Sequence, residues 1–187
     1  NGDIGKCKWC ADNTGFNLMQ QIVQVKAKNG SMVTISKPLY YTPYTHPQYR
    51  KYTFNTKYAG FEDFKVNATG DIGSGQIILL QGALFCWVKG VETYNTGSSS
   101  GSAHIELKGS YGCEVRDSYV HGGRTSGSGA NYGIWIMNIN SDHKIENNIM
   151  RHNRHGIVFE GGGSDCAILY NYIDDNFTED LSYLGSA

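Results

Sequence analysis

One stretch of this chain is written four times over, and a repeat of that length restricts the fold more than any single motif does. Starting at Cys86, Cys113, His143 and Cys166, the copies read CWVKGVETYN, CEVRDSYVHG, HKIENNIMRH and CAILYNYIDD. Each copy has a β-branched residue two places in, at Val88, Val115, Ile145 and Ile168. Three places further on stand Val91, Ser118, Asn148 and Asn171. The segments before each start also correspond: GQIILLQGALF, SAHIELKGSYG, YGIWIMNINSD and HGIVFEGGGSD. The copies begin 27, 30 and 23 residues apart, which is the spacing of a solenoid.

The spacing alone does not choose between helical and β repeats; composition and alternation do. The 187 residues hold 24 glycines, 3 prolines and 13 tyrosines, a mixture that favours tight turns and strands. His104-Ile105-Glu106-Leu107-Lys108 alternates polar and apolar, as a strand with one buried face must. No window carries apolar residues at helical spacing over ten or more positions. Short strands stacked coil upon coil form parallel sheets about 4.8 Å apart. The expected fold is therefore all-β, a right-handed parallel β-helix. Gly60-Phe61-Glu62-Asp63-Phe64-Lys65-Val66 reads as an imperfect first copy.

Asn148 and Asn171 are expected in register at a bend, with Cys86, Cys113 and Cys166 stacked inside. The copies differ in length at 95–101, 122–131 and 152–154, and loops that vary at one corner are where repeat proteins build binding faces. Ahead of the coils, Asn29-Gly30 between two apolar runs predicts a β-hairpin. Residues 1–58 are expected to cover the end of the solenoid and 59–187 to form its coils. Cys7-x-x-Cys10 reads as a local disulfide, a zinc half-site or a redox motif, the first fitting an exported protein best.

The repeats from Cys86 to Asn176, with the hairpin and Pro38-Leu39-Tyr40, resemble the pectate-lyase-like superfamily. More narrowly they are similar to uncharacterised bacterial right-handed β-helix proteins within it. The resemblance implies the fold, and a superfamily of polysaccharide lyases, pectin hydrolases, epimerases and phage tailspikes. No full catalytic motif of these is assembled: Asp174-Asp175 occurs, whereas His121-Gly122-Gly123 and Arg154-His155-Gly156 match only in part. Members of the narrower group continue further, so this chain is expected to be part of a longer protein.

Function is therefore sought on the outward side of the long strand and in the variable loops. The catalytic candidates are His104, Glu106, Arg154, His155 and Glu160. The substrate-binding candidates are Lys108, His121, Arg124, Trp135, Arg151 and His152. A uronate lyase needs a base for the C5 proton and a cation for the growing carboxylate charge, which His, Arg and Lys supply. A glycosidase needs two carboxyl groups about 5–9.5 Å apart, and stack spacing puts Glu106 and Glu160 about 10 Å apart. Any solvated sheet face also carries polar residues without catalysing anything. No metal site is indicated, since His152 and His155 lack a third ligand, and no pattern specifies a cofactor.

A formal net charge of −1 gives no electrostatic case for nucleic acid, and no apolar run is long enough to span a bilayer. The expected partner is a polysaccharide, with acidic ones among the candidates, met outside the cell or at its surface. The competing expectation is a non-catalytic module of a tailspike, filament or adhesin that self-associates through open coil ends.

Overall fold

The computed structural model describes residues 20–40, 49–125, 127, 129–174 and 176, and every regular element among them is a strand. The Cys7-x-x-Cys10 motif lies outside these residues. The chain enters through an antiparallel hairpin of β1 (Val25–Asn29) and β2 (Met32–Ile35). Asn29 pairs with Met32, so the loop is Gly30-Ser31 rather than Asn29-Gly30. Of those two only Gly30 has a positive φ, as a type II′ turn with glycine first requires.

Five coils follow. The first holds β3 (Thr56–Lys57), β4 (Gly60–Glu62) and β5 (Lys65–Asn67). The second holds β6 (Gln76–Gln81), β7 (Ala83–Leu84), β8 (Trp87–Lys89) and β9 (Glu92–Tyr94). The third holds β10 (Ala103–Lys108), β11 (Glu114–Arg116) and β12 (Tyr119–His121). The fourth holds β13 (Tyr132–Met137), β14 (Lys144–Glu146) and β15 (Ile149–Arg151). The last holds β16 (His155–Glu160), β17 (Ala167–Leu169) and β18 (Tyr172–Asp174).

Equivalent strands pair in parallel. The first sheet is β6-β10-β13-β16, the second β4-β8-β11-β14-β17 and the third β5-β9-β12-β15-β18. The expected register holds: Phe61, Val88, Val115, Ile145 and Ile168 form one column. Val88, Val115 and Ile145 are fully buried within it. They pack in a core with Ile105, Leu107, Ile134 and Ile136 from the first sheet and Val120 and Met150 from the third. Cys86, Cys113, His143 and Cys166 stand at equivalent places one coil apart, and the three cysteines are free thiols. Burial pushes the Cys113 thiol up to about 12.

The bend between the second and third sheets repeats one conformation. Asp63, Gly90, Asp117, Asn147 and Tyr170 all have φ between 53° and 62° there. At the last three of these bends the next residue's side chain binds the backbone of the coil before it. Ser118 Oγ accepts from Val91 N–H at 3.2 Å, Asn148 Oδ1 from Ser118 N–H at 3.1 Å, and Asn171 Oδ1 from Asn148 N–H at 3.1 Å. The amide groups donate in turn, Asn148 Nδ2 to Val115 O and Asn171 Nδ2 to Ile145 O, each at 2.9 Å.

A second polar column stands at the corner between the first and second sheets. Ser110 Oγ accepts from Ala83 N–H at 3.1 Å and Asn140 Oδ1 from Ser110 N–H at 3.0 Å. His143 Nδ1 accepts from Cys113 N–H at 3.0 Å, so its Nε2 carries the hydrogen and donates to Asn140 Oδ1 at 2.9 Å.

Among the described residues, the N-terminal segment is bonded to the side of the solenoid. Ile22 N–H donates to Ser141 Oγ at 2.8 Å, Gln21 Nε2 to Asp165 Oδ2 at 3.0 Å, and Lys37 pairs with Asp142. Tyr52 Oη donates to Gly109 O at 2.7 Å on the same corner. The first coil accordingly begins near Asn55, whose N–H donates to Gly82 O at 2.8 Å.

Replacing Asn148 by Ala removes an acceptor and two donors while leaving Ser118 N–H and Val115 O buried without their side-chain partners. The expected loss is about 1–3 kcal/mol for each orphaned group, read as a lower urea midpoint with an unchanged fold by circular dichroism.

Candidate functional site

The long strand of each coil does not simply alternate. In β10, Ile105 and Leu107 enter the main core, yet His104 also lies inside the solenoid, with Nδ1 3.0 Å from Thr93 Oγ1 of β9. Its neighbour Asn153 lies alongside, and His104 Nε2 and Asn153 Oδ1 close no bond of ordinary geometry. Desolvation holds His104 near 3, so the imidazole is neutral. This overturns the outward placement of His104: the strand turns at its start, and the two successive positions His104 and Ile105 both face inward.

The outer face of the first sheet carries Glu106, Trp135, Lys108, His155 and Glu160. Strict alternation predicted a solvated face; instead its middle, at Glu106 and Trp135, is covered. Glu106 is 1 % exposed and Trp135 6 %, and Trp135 packs with Ala103, Tyr132, Met137 and Val158 in a second apolar cluster. Glu106 is in register with Trp135, whereas Glu160 is in register with Met137 and hence Lys108. The two carboxylates are thus separated by two coils and two residues, about 10 Å along the stack and 6–7 Å along the strand. That spacing does not suit the retaining geometry. Burial raises the Glu106 carboxyl above its usual range, Lys108 at 3.8 Å opposes the rise, and Glu160 adds to it. Glu160 itself is exposed and accepts a 3.1 Å bond from Trp135 Nε1. His155 is exposed, stacks on Tyr132 with centroids 5.8 Å apart, and is lowered by burial and by Arg154.

The loop candidates separate from this face. Arg124 Nη2 donates to three carbonyls of the first coil's loop, Ala68 at 2.5 Å, Thr69 at 3.3 Å and Gly70 at 3.3 Å, so it clamps loops two coils apart. Beside it Asp71 accepts from Ser98 and Gly73 N–H, which hold its carboxyl at about 2. Arg154 N–H donates to Asn131 O, and His152 turns the chain with φ 54°.

His121 and Arg151 lie elsewhere, on the outer face of the third sheet, and there the chemistry gathers. Tyr94, His121 and Arg151 are in register on three successive coils. His121 is stacked between Tyr119 (3.9 Å, 12°) and Tyr94 (4.8 Å, 28°). Glu92, in register with Tyr119, accepts from His121 Nε2 at 3.0 Å and from Lys65 Nζ at 2.6 Å. These bonds, Lys65's first, lower the Glu92 carboxyl. An ionised carboxylate only accepts, so His121 Nε2 carries the hydrogen and Nδ1 is the basic atom. Arg151 Nε meets Asp174 at 3.6 Å and its side chain is 49 % exposed. The sequence reading named His121 and Arg151 but missed Tyr94, Tyr119, Glu92 and Lys65, although the repeat that aligns Tyr94, His121 and Arg151 was already in hand. Among the described residues no three His, Cys, Asp or Glu side chains converge on a point that could hold a metal ion.

A family model described as a right-handed β-helix region matches residues 65–186. The chain belongs to that family. The match fixes the hand of the coil, which the sheet order alone leaves open. No curated protein and no solved structure gives a significant match to this β-helix.

Because His104 and His143 are buried neutral, at about 3 and about 4 against 6.5 for a free imidazole, protons bind the unfolded chain first. Stability should therefore be flat above neutral pH and fall as pH drops below about 6.5 towards 4. Urea midpoints across that range check this, and His143→Gln should give a lower plateau with a shallower acid slope.

Proposed function

We propose that this β-helix binds a polysaccharide outside the cell or at its surface, along the outer face of the third sheet. The observation that carries the reading is the column Tyr94–His121–Arg151, three in-register positions on successive strands about 4.8 Å apart that bear a hydroxyl, an imidazole and a guanidinium. The resemblance to the pectate-lyase-like superfamily supports it, as does the family's solenoid, which offers a long chain a surface with one repeat per coil.

The column also suits cleavage of a uronate polymer by β-elimination. His121 Nδ1 takes the C5 proton, the Arg151 guanidinium pairs with the adjacent carboxylate as charge moves onto it, and the Tyr94 hydroxyl gives its proton to the departing O4. The C5–H and C4–O bonds break, a C4–C5 double bond forms, and afterwards the His121 imidazolium loses its proton to solvent while the tyrosinate regains one from it. Glu92, itself held by Lys65, orients the imidazole.

Retardation in native gels containing polygalacturonate, alginate, hyaluronan or chondroitin tests binding, and ultraviolet absorbance of unsaturated uronate products tests cleavage. Arg151→Ala should weaken retardation about tenfold or more, the equivalent of one lost charge-assisted contact of roughly 1.5–3 kcal/mol. Migration unchanged in every glycan would sink the binding reading, and retardation without absorbance would sink only cleavage.

A second reading, an assembly module, is favoured by the apolar columns at the ends of the described coils. Phe61 at one end, and Phe159, Ile168 and Ile173 at the other, are exposed although their equivalents in the middle coils form the core. Such ends stack on a second copy. Sedimentation should then show concentration-dependent association that Ile168→Asp abolishes, whereas a monomer at all concentrations excludes it.

A further inference from the structure

The second sheet carries a recess of about 240 Å³ around Trp87, Phe85, Glu62, Gly112, Glu114 and Arg116, none of which the third-sheet column uses. Its size is below the roughly 300–1,000 Å³ of pockets for drug-sized ligands and fits one sugar ring. Both aromatic rings are laid flat by glycines on neighbouring coils. Gly60 is in register with Trp87, and a Cβ at Gly60 would come within 2.4–2.5 Å of three indole atoms. The indole therefore occupies the place of the missing side chain and lies against the sheet with its other face outward. A Cβ at Gly112 would likewise fall 2.5 Å from two atoms of the Phe85 ring. Phe85 is further held by Tyr58, stacked with centroids 5.7 Å apart, and by Tyr111 edge-on at 5.7 Å.

The polar groups around the rings are also fixed. Trp87 Nε1 donates to Glu62 Oε1 at 2.7 Å, which locks the indole in its plane and leaves Oε2 to accept from a ligand. Arg116 Nε lies 3.3 Å from Glu114 Oε2 and its Nη1 donates to Asp117 at 2.8 Å, so the guanidinium bridges two carboxylates at the rim. An outward indole face meets the C–H face of a pyranose, and paired carboxylate oxygens accept from vicinal hydroxyls. Arg116, the one cation of the lining, is already held by Glu114 and Asp117, which leaves carboxylate acceptors for hydroxyls and no free guanidinium in the lining for a uronate carboxylate.

We infer that this recess is a second saccharide site that takes a single neutral pyranose ring, stacked on Trp87 and hydrogen-bonded by Glu62 and Glu114. It is independent of the third-sheet column in residues, in face and in the charge of its ligand.

Titration of the protein with neutral gluco-, manno-, xylo- and galacto-oligosaccharides, followed by tryptophan fluorescence and by saturation transfer from protein to sugar protons, tests it directly. Of the three tryptophans Trp135 is buried and Trp9 lies outside the described residues, so loss of the response in Trp87→Ala is what assigns it to Trp87. At least one neutral series should shift the emission at millimolar concentration, with tetragalacturonate silent. Gly60→Ala keeps both the indole and the backbone conformation but lifts the ring, and should weaken binding at least tenfold. Trp87→Ala should abolish it, with thermal melting showing that both variants fold. The inference is overturned if no neutral series responds, if tetragalacturonate responds as strongly, or if Gly60→Ala and Trp87→Ala bind like the parent.

Discussion

Every part of this molecule depends on backbone amides at the bends finding acceptors on the next coil. Strand pairing satisfies the straight segments, but at a bend the chain turns away from its neighbour and leaves donors facing the interior, where an unpaired N–H costs about 1–3 kcal/mol. Ser118, Asn148 and Asn171 answer at one bend, Ser110 and Asn140 at another, and His143 at the start of its second-sheet strand. Each couples its own coil to the one before, so the columns fix register as well as satisfying donors. A slip of one residue would turn Val88, Val115 and Ile145 outward.

Fixed register is what gives the outer faces chemical meaning. Residues that are neither close in sequence nor alike in type, such as Tyr94, His121 and Arg151, are brought into line because their positions in the repeat are the same. The solenoid thus works as a ruler, setting side chains about 4.8 Å apart along its axis. Function is written in the departures from the consensus at a chosen position, against the constancy of the positions beside it.

The coil, its inward columns and the asparagine bend were legible in the sequence because each rests on a period-two or per-coil rule that leaves a visible mark. What escaped lay where a local geometry breaks the rule. His104 was read as outward by alternation, but the start of the strand bends and puts two successive residues inside. Glu106 and Trp135 were placed on the correct face, yet Trp135 is buried in an apolar cluster that draws Ala103 and Val158 from the neighbouring coils, which no single strand shows. The hairpin was found, whereas its turn was displaced by one residue because Gly30-Ser31 satisfies a type II′ turn as well as Asn29-Gly30 satisfies type I′. Ser110 and Asn140 form a ladder as regular as the one at Asn148, and the equivalent spacing before Cys113 and His143 was the signal for it.

The glycines beneath the rings bear on how such a protein can change. Trp87 needs Gly60, Phe85 needs Gly112 and Tyr94 needs Gly122, each partner lying on an adjacent coil some 27 or 28 residues away. A coil transplanted into another β-helix would bring its rings without their seats, or its seats without their rings. The coils look like interchangeable cassettes, yet the second is fitted to the first through Gly60 and to the third through Gly112 and Gly122, so a lengthened solenoid keeps every ring on its seat only if all three are duplicated together.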